Sequence, residues 1–259
     1  MEQNILPFLD RINEILEGHL ISAHLYGSCV MNDFQPGWSD IDVLCFTDRP
    51  IPPEKAEQLS MLRQTMVQET NNPLFRCIEG ALVCADEFSQ QKFTTVIYWG
   101  TSGQRIKNAY MPDVFSCHSM TRFGRCIYGN NVVHLIPCTT FTDLVYEMRL
   151  LLTTIRIHAK ETGDSLYSCG WLLDIARCLY TLRHQTIISK TQAGKWALEL
   201  GLCPEPHQME LALSVRQNPT ESLKNPQIHD WLQSLGPSIQ KFADVLEKEL
   251  EEQTNEQMV

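Results

Sequence analysis

The sequence lacks several patterns that would assign it to a class at once. Its ten cysteines include no CxxC pair, so neither a zinc ribbon nor a thioredoxin-type redox motif is indicated. No run approaches the roughly 18 apolar residues of a membrane span. The N-terminus also lacks the basic segment and apolar core of a secretory signal. We therefore expect a cytoplasmic protein with reduced cysteines and no membrane contact.

Positive charge is also scarce. The chain carries 21 Lys and Arg against 31 Asp and Glu, which gives a formal net charge of −10. Such a chain repels the phosphate backbone, so general nucleic-acid binding is not expected, whereas a cationic partner is compatible with this balance. The hydrophobic share of 43% and charged share of 20% are typical of a globular protein. Its 259 residues suffice for one large domain or two compact ones.

The first half of the chain alternates between helical and extended patterns. Apolar spacing predicts a helix over 3–17, and a proline-initiated helix begins near 53 and runs to about 70. Short apolar runs predict strands over 20–26, 41–46 and 76–84. This order predicts an α/β (α+β) domain with a mixed sheet, which we place at residues 1–138.

The second half is helical in pattern. From about residue 142 the apolar residues recur at helical spacing, and prolines punctuate the later segments. The last such segment covers 238–251. We predict an all-α helical-bundle domain over 139–259, and we expect the protein to be a monomer.

Two aspartates at the start of the second strand are the first candidate site residues. Since side chains alternate along a strand, Asp40 and Asp42 project from the same face. Two neighbouring carboxylates repel each other, and a divalent cation is the simplest way to neutralise them. Oxygen ligands suit Mg²⁺, which completes its shell with water and substrate phosphates.

A Gly-Ser turn supplies the second half of the motif. Gly27 permits close backbone approach, and backbone N–H groups together with the Ser28 hydroxyl could hold a phosphate. A Gly-Ser turn alone is common, and so is an Asp-x-Asp at a strand start. Their combination between two apolar strands is more specific. It suggests a nucleoside triphosphate held at Gly27 and Ser28, with its metal at Asp40 and Asp42.

These motifs resemble a known family. The Gly-Ser turn and the paired aspartates are similar to the signature of polymerase-β-type nucleotidyltransferases. Longer runs are similar to aminoglycoside adenylyltransferases of the streptomycin and spectinomycin type. These runs are His24–Ser28, Ser39–Asp42 and Arg76–Val83 in the first half, and Asp174–Tyr180 and Ile188–Ala197 in the second.

The resemblance implies a role for each matched residue. Asp40 and Asp42 would hold Mg²⁺, and Glu79 would be the general base that deprotonates the acceptor hydroxyl. Ser28 would contact the terminal phosphates of the nucleotide. Arg177 and Lys190 would bind the triphosphate from the helical domain.

Each of these residues also has a plainer interpretation. Glu79 is the single charged residue of the otherwise apolar run 77–84, and it could be a strand-edge carboxylate that faces solvent. Arg177 could be a snorkelling surface arginine, and Lys190 a solvated lysine. Trp99 is the nearest candidate for the family's substrate-contacting tryptophan, but the sequence favours the plainer interpretation of a core aromatic residue at a strand end. Tyr167 and Gly170 stand where streptomycin-modifying members carry acidic and amide side chains, which argues against streptomycin itself.

The sequence thus predicts a Mg²⁺-dependent enzyme that transfers AMP from ATP to a hydroxyl of an aminoglycoside-like, cationic small molecule. Two alternatives stay open at this point. One is a nucleotidyltransferase whose acceptor is a protein or a tRNA. The other is a non-catalytic nucleotide-binding protein that retains the fold.

Overall fold

The computed structural model describes residues 2–100 and 103–257, and the chain divides into two compact units. The first unit contains the chain up to Asn32 and then Ser39–Cys138. The second contains Asp33–Trp38 together with the chain from Thr139 onwards. The sequence predicted contiguous domains, whereas the short segment between the Gly-Ser turn and the paired aspartates groups with the helices.

The described strands of the first unit form one mixed six-stranded sheet in the order β5-β4-β3-β2-β1-β6. Strands β2 and β3 are parallel, and the other neighbours are antiparallel. The bounds are β1 Leu20–Tyr26, β2 Ile41–Thr47, β3 Ile78–Cys84, β4 Val96–Gly100, β5 Gly103–Lys107 and β6 Arg125–Gly129. The mixed sheet confirms the predicted fold class of this half.

Among the described residues of the first unit, four helices accompany the sheet, namely α1 Glu2–Ile15, α2 Pro53–Thr70, α3 Ala85–Gln90 and α4 Val114–Phe123. Strands β2 and β3 are apolar along both faces, as expected of central strands that are covered on two sides. One face packs on α1 and α2, where Phe8 meets Trp99 edge-on at 5.1 Å between ring centroids. The opposite face packs on α3 and α4 through a buried cluster that includes Phe46, Val83 and Met120.

The third strand begins two residues later than predicted. Residues Pro73–Cys77 form a 3-10 turn, which Asn72 initiates by accepting a hydrogen bond from the N–H of Leu74 at 3.1 Å. Proline at the first position of the turn has its φ angle already fixed and has no N–H to satisfy. The turn therefore ends directly before β3, in which Glu79 is the second residue.

The second unit is helical, which confirms the prediction for that half. Its helices are α5 Phe141–His158, α6 Tyr167–His184, α7 Lys190–Glu199, α8 Pro206–Gln217, α9 Pro219–Ser222, α10 Pro226–Ser234 and α11 Gly236–Gln257. A reciprocal capping box between Thr140 and Asp143 starts α5. Helix α6 is buried along Leu172, Ile175 and Leu179, as its apolar spacing predicted.

A buried ion pair ties the segment Asp33–Trp38 to the helices of the second unit. Arg216 of α8 donates to the Asp33 carboxylate at 2.8 Å, and both side chains are almost fully buried. The N–H of Thr191 donates to the same carboxylate at 3.2 Å, and the guanidinium lies 5.3 Å from the ring centroid of Trp38. The Asp33 carboxylate therefore has several partners, which a buried charge requires.

In the part of the chain that the structure describes, no helix is both long enough and apolar enough to cross a membrane. All ten cysteines lie within the described ranges, and each carries a free thiol.

Candidate active site

Three carboxylates meet at one end of one sheet face. Asp42 on β2 and Glu79 on β3 are partners in the parallel register, so their side chains leave neighbouring strands on the same side. Asp40 lies just before the start of β2, and its charge acts on the Tyr98 hydroxyl, which contacts Glu79. Further along the same face, Leu44 and Ala81 are also partners and belong to the buried core. The three half-buried acids thus stand where the apolar face ends.

Gly27 makes room for one of these acids. Its φ angle is +66°, in the left-handed region, and a Cβ built there would lie 2.0 Å from Oδ2 of Asp42. The N–H of Gly27 donates to the Ser119 hydroxyl oxygen at 3.1 Å. The assignment of Gly27 to nucleotide binding stays a prediction. What the structure shows is that Gly27 leaves space for the Asp42 carboxylate.

Ser28 lies in a 3-10 turn, Gly27–Cys29, directly after β1. Its hydroxyl donates to the carbonyl oxygen of Asp40 at 3.5 Å, which links the turn to the start of β2. Burial and the nearby Asp42 charge raise the pKa of the Cys29 thiol to about 12. This thiol therefore stays protonated at neutral pH, and the hydroxyl of Ser28 is the polar side chain that the turn presents beside the acids.

Tyr98, the sequence neighbour of Trp99, contacts Glu79 directly. It is the β4 partner of Ala81, so it lies on the face that carries Glu79. Its hydroxyl donates to Oε1 of Glu79 at 3.0 Å. Burial, then the charge of Glu79 and this hydrogen bond, raise the pKa of Tyr98 to about 12. The phenol therefore remains a donor at any physiological pH.

Tyr98 also borders a cavity within the first unit. The cavity has a volume of about 470 Å³, and its lining includes Phe93, Lys107 and Tyr110. This volume is in the range of small-molecule sites in proteins. The hydrogen-bond partner of Glu79 therefore faces space that a ligand could enter.

Trp99 does not belong to the site. It is 0% exposed, and its indole N–H donates to the carbonyl oxygen of Leu59 at 3.1 Å. Because Trp99 pairs with Gly80 while Tyr98 pairs with Ala81, the two aromatic side chains point to opposite faces. The predicted substrate contact at Trp99 is therefore wrong, and its core alternative holds.

Arg63 is a residue near the acids that the sequence did not indicate. It is buried and donates to the carbonyl oxygens of Ile78 at 2.8 Å and Gly100 at 3.0 Å. Burial lowers the pKa of this guanidinium, and the nearby charges of Glu79 and Asp40 oppose that effect. A buried cation therefore stands close to the acids and offsets part of their mutual repulsion. Its sequence signal is an arginine four residues after Leu59, on the apolar side of α2.

In the helical unit, Arg177 and Lys190 share one carboxylate. Asp174 accepts from Arg177 at 2.9 Å through one oxygen and from Lys190 at 2.9 Å through the other. Burial raises the pKa of Asp174, but the two cations outweigh it and hold that pKa below its usual value. Ser189 caps α7 by accepting from the N–H of Gln192, which places Lys190 at the first position of the helix. The cluster carries one net positive charge and is partly exposed.

The donor chemistry of the acids fits a hard divalent cation. The side chains of Asp40 and Asp42 provide only oxygen ligands. Because Gly27 has no Cβ, the Asp42 carboxylate can lie beside it. Among the described residues, no group of three or more His, Cys, Asp or Glu could by itself hold a metal ion. Two carboxylates are what Mg²⁺ takes from a protein when substrate phosphates and water supply its other ligands. The residues present therefore fit such an ion as a partner of a bound nucleotide.

Two family models match the chain. The model described as "Nucleotidyltransferase domain" matches residues 7–71, which include the Gly-Ser turn and both aspartates. The model described as "Aminoglycoside adenylyltransferase, C-terminal domain" matches residues 131–248, which include Arg177 and Lys190. No curated protein matches the chain significantly.

A solved structure shares the fold over nearly the whole chain. It is the spectinomycin adenyltransferase AAD(9) from Enterococcus faecialis, determined with ATP and spectinomycin. The similarity covers 95% of this chain and 99% of that chain, with a TM-score of 0.67 and 18% sequence identity. At this identity the match shows the common architecture, a nucleotidyltransferase domain followed by a helical domain.

Proposed function

The chain belongs to the aminoglycoside nucleotidyltransferases, and on that premise we propose that it transfers AMP from ATP to a hydroxyl group of an aminoglycoside-like, cationic small molecule. The observation that carries the proposal is the register of β2 and β3, which sets Glu79 opposite Asp42. A carboxylate that accepts a proton thereby stands beside the pair that suits a metal ion.

Asp40 and Asp42 would hold Mg²⁺ together with the nucleotide. When bound, the ion would neutralise charge on the reacting phosphates. The Ser28 hydroxyl, next to the start of β2, would bind a phosphate oxygen. Arg177 and Lys190 would bind further triphosphate oxygens, since a single carboxylate neutralises only one of their two charges.

Glu79 would accept the proton from the acceptor hydroxyl. As the hydroxyl oxygen forms its bond to the α-phosphorus of ATP, the bond from that phosphorus to the oxygen bridging to the β-phosphate breaks. Pyrophosphate leaves, and AMP remains on the acceptor as a phosphodiester. The proton passes to Glu79, which suits general-base catalysis because the carboxylate borders the same face as the metal ligands.

The net charge of the chain and two departures from the family's substrate-contacting residues support the proposed acceptor class. The net charge of −10 and the three site acids favour a cationic molecule. Tyr167 is an exposed side chain and Gly170 has none, so neither offers the carboxylate or amide expected for streptomycin. The structural relative binds spectinomycin, which makes that compound the first acceptor to test. A monomeric state and a cytoplasmic location stay predictions.

The test is an AMP-transfer assay with α-³²P-labelled ATP, Mg²⁺ and a panel that includes spectinomycin and streptomycin. We expect label, and the corresponding mass increase, on an aminoglycoside-like compound. Glu79→Gln should lower turnover by roughly 10²-fold or more while ATP still binds. Glu69→Gln, an exposed acid of α2, serves as the matched control and should retain activity.

Other outcomes of the same assay identify the alternatives. Label that moves to added tRNA or to protein would favour a macromolecular acceptor. ATP binding without transfer to any acceptor would favour a non-catalytic nucleotide-binding protein. Normal turnover by Glu79→Gln would remove Glu79 as the base.

A further inference from the structure

The Glu79 carboxylate has a specific partner whose own position is fixed. The Tyr98 hydroxyl donates to Oε1 of Glu79 at 3.0 Å. The ring of Tyr98 lies over Gly100, where a Cβ would be 2.6 Å from the ring atom Cε1. On β5, the ammonium of Lys107 lies 4.3 Å from the centroid of the same ring. Gly100 and Lys107 therefore restrict the position of the phenol independently of its hydrogen bond to the carboxylate.

Glu79 needs such a restraint because of its neighbours. Asp42 is its register partner on the adjacent strand, and Asp40 lies two residues before Asp42, so like charges repel the carboxylate, and Arg63 offsets only part of this repulsion. A glutamate side chain has three rotatable bonds and could turn away at little cost. A neutral hydroxyl that donates to one oxygen can fix the carboxylate without adding a charge that would compete with Mg²⁺.

We propose that Tyr98 is a positioning residue that holds Oε1 of Glu79 and thereby directs Oε2 to the acceptor hydroxyl. This inference rests on the proposed function, since it assigns Tyr98 a part in the same transfer. Tyr98 touches neither nucleotide nor acceptor in this scheme; it acts through Glu79. The phenol supplies this hydrogen bond throughout the working pH range because it stays protonated.

The first test removes only the hydroxyl. With ATP, Mg²⁺ and spectinomycin, or whichever aminoglycoside of the panel the wild-type enzyme modifies, Tyr98→Phe should lower kcat by about 10-fold to 100-fold. The KM values for ATP and for the acceptor should change by less than about threefold. A merely structural tyrosine would instead change KM or lower the melting temperature.

A double variant shows whether Tyr98 acts through Glu79. Tyr98→Phe should cost nothing further in a Glu79→Gln background, because the group that it positions is then absent. Tyr128→Phe is the matched control. Tyr128 lies on β6, and β3, β2 and β1 separate that strand from β4, which carries Tyr98. Its kcat should stay near the wild-type value. Losses that multiply in the double variant would overturn the proposal.

A spectroscopic measurement keeps this inference separate from the proposed function. In protein labelled with δ-¹³C glutamate, the Glu79 carboxylate signal is the one lost in Glu79→Gln. That signal should shift in Tyr98→Phe and stay in place in Tyr128→Phe. If the wild-type protein transferred AMP to no acceptor, the proposed function would fail, while this shift would still establish the contact that orients Glu79. An unmoved signal in Tyr98→Phe would overturn the positioning role.

Discussion

A Cβ on Gly27 would lie 2.0 Å from Oδ2 of Asp42, closer than any non-bonded approach allows. Gly27→Ala must therefore displace the carboxylate that we assign to Mg²⁺. We expect a loss of turnover of about 10-fold or more, and a higher Mg²⁺ concentration for half-maximal rate. Both quantities follow from AMP-transfer rates measured over a Mg²⁺ titration.

The matched control for this substitution is Gly18→Ala. Gly18 also has a positive φ angle, +93°, but a Cβ there meets nothing within 4 Å. Both variants should lose stability by about 1–2 kcal/mol from the backbone conformation alone. Only Gly27→Ala should lose activity. Equal activities in the two variants would mean that the close approach to Asp42 has no functional consequence.

The cation pair of the helical unit gives a prediction on nucleotide affinity. Lys190→Met removes one of the two cations that contact Asp174, so the remaining ion pair of Asp174 and Arg177 has no net charge. If these cations bind the triphosphate, the Kd for ATP should rise by about 10-fold to 100-fold, the value of one or two charge-assisted hydrogen bonds. Isothermal titration with ATP and Mg²⁺ measures this directly.

Lys195→Met provides the comparison on the same helix. Lys195 is exposed on α7, one and a half turns beyond Lys190, and it should leave the ATP affinity unchanged. A wild-type Kd in Lys190→Met would show that Lys190 serves only its ion pair with Asp174.

The sequence predicts the three site acids more reliably than the residues that contact them, and the reason is physical. Asp40 precedes an apolar strand, whereas Asp42 and Glu79 interrupt one, and strand periodicity then fixes which way Asp42 and Glu79 point. The choice between Tyr98 and Trp99 depends instead on how β4 aligns with β3, since a shift of one residue exchanges their faces. That alignment is a long-range property, and the wrong residue was therefore selected.

Arg63 and the segment Asp33–Trp38 illustrate the same limit. The partners of Arg63 are two carbonyl oxygens, at Ile78 and Gly100, and a carbonyl carries no signature in the sequence. Asp33 pairs with Arg216, which is separated from it by 183 positions. The helix and strand patterns predict the elements themselves, but contacts that depend on tertiary packing leave no local pattern.

The buried pair of Asp33 and Arg216 predicts a large effect on stability. Arg216→Met would leave a carboxylate that is only 5% exposed without its charged partner. We expect the free energy of unfolding to fall by about 3–5 kcal/mol, as measured by urea denaturation. Arg125→Met is the control, because Arg125 pairs with Glu2 on the surface and such pairs contribute about 0–1 kcal/mol. Similar losses in both variants would contradict the special position of Asp33.

The same pair predicts the direction of acid destabilisation. Burial acts to raise the pKa of Asp33, but the hydrogen bond from Thr191 and the charge of Arg216 outweigh it and hold the pKa below its usual value. A carboxyl group whose pKa is lowered by folding stabilises the fold at pH values above its unfolded-state pKa of about 3.9, and this contribution is lost as the pH falls through its folded-state pKa.

The free energy of unfolding, measured in urea between pH 7 and pH 3, should therefore decline below about pH 5. In Asp33→Asn the decline should be shallower but still present, because the pKa of Asp174 is also lowered, by Lys190 and Arg177 against the effect of burial. An unchanged decline in Asp33→Asn would show that the buried pair is not the group whose protonation weakens the fold.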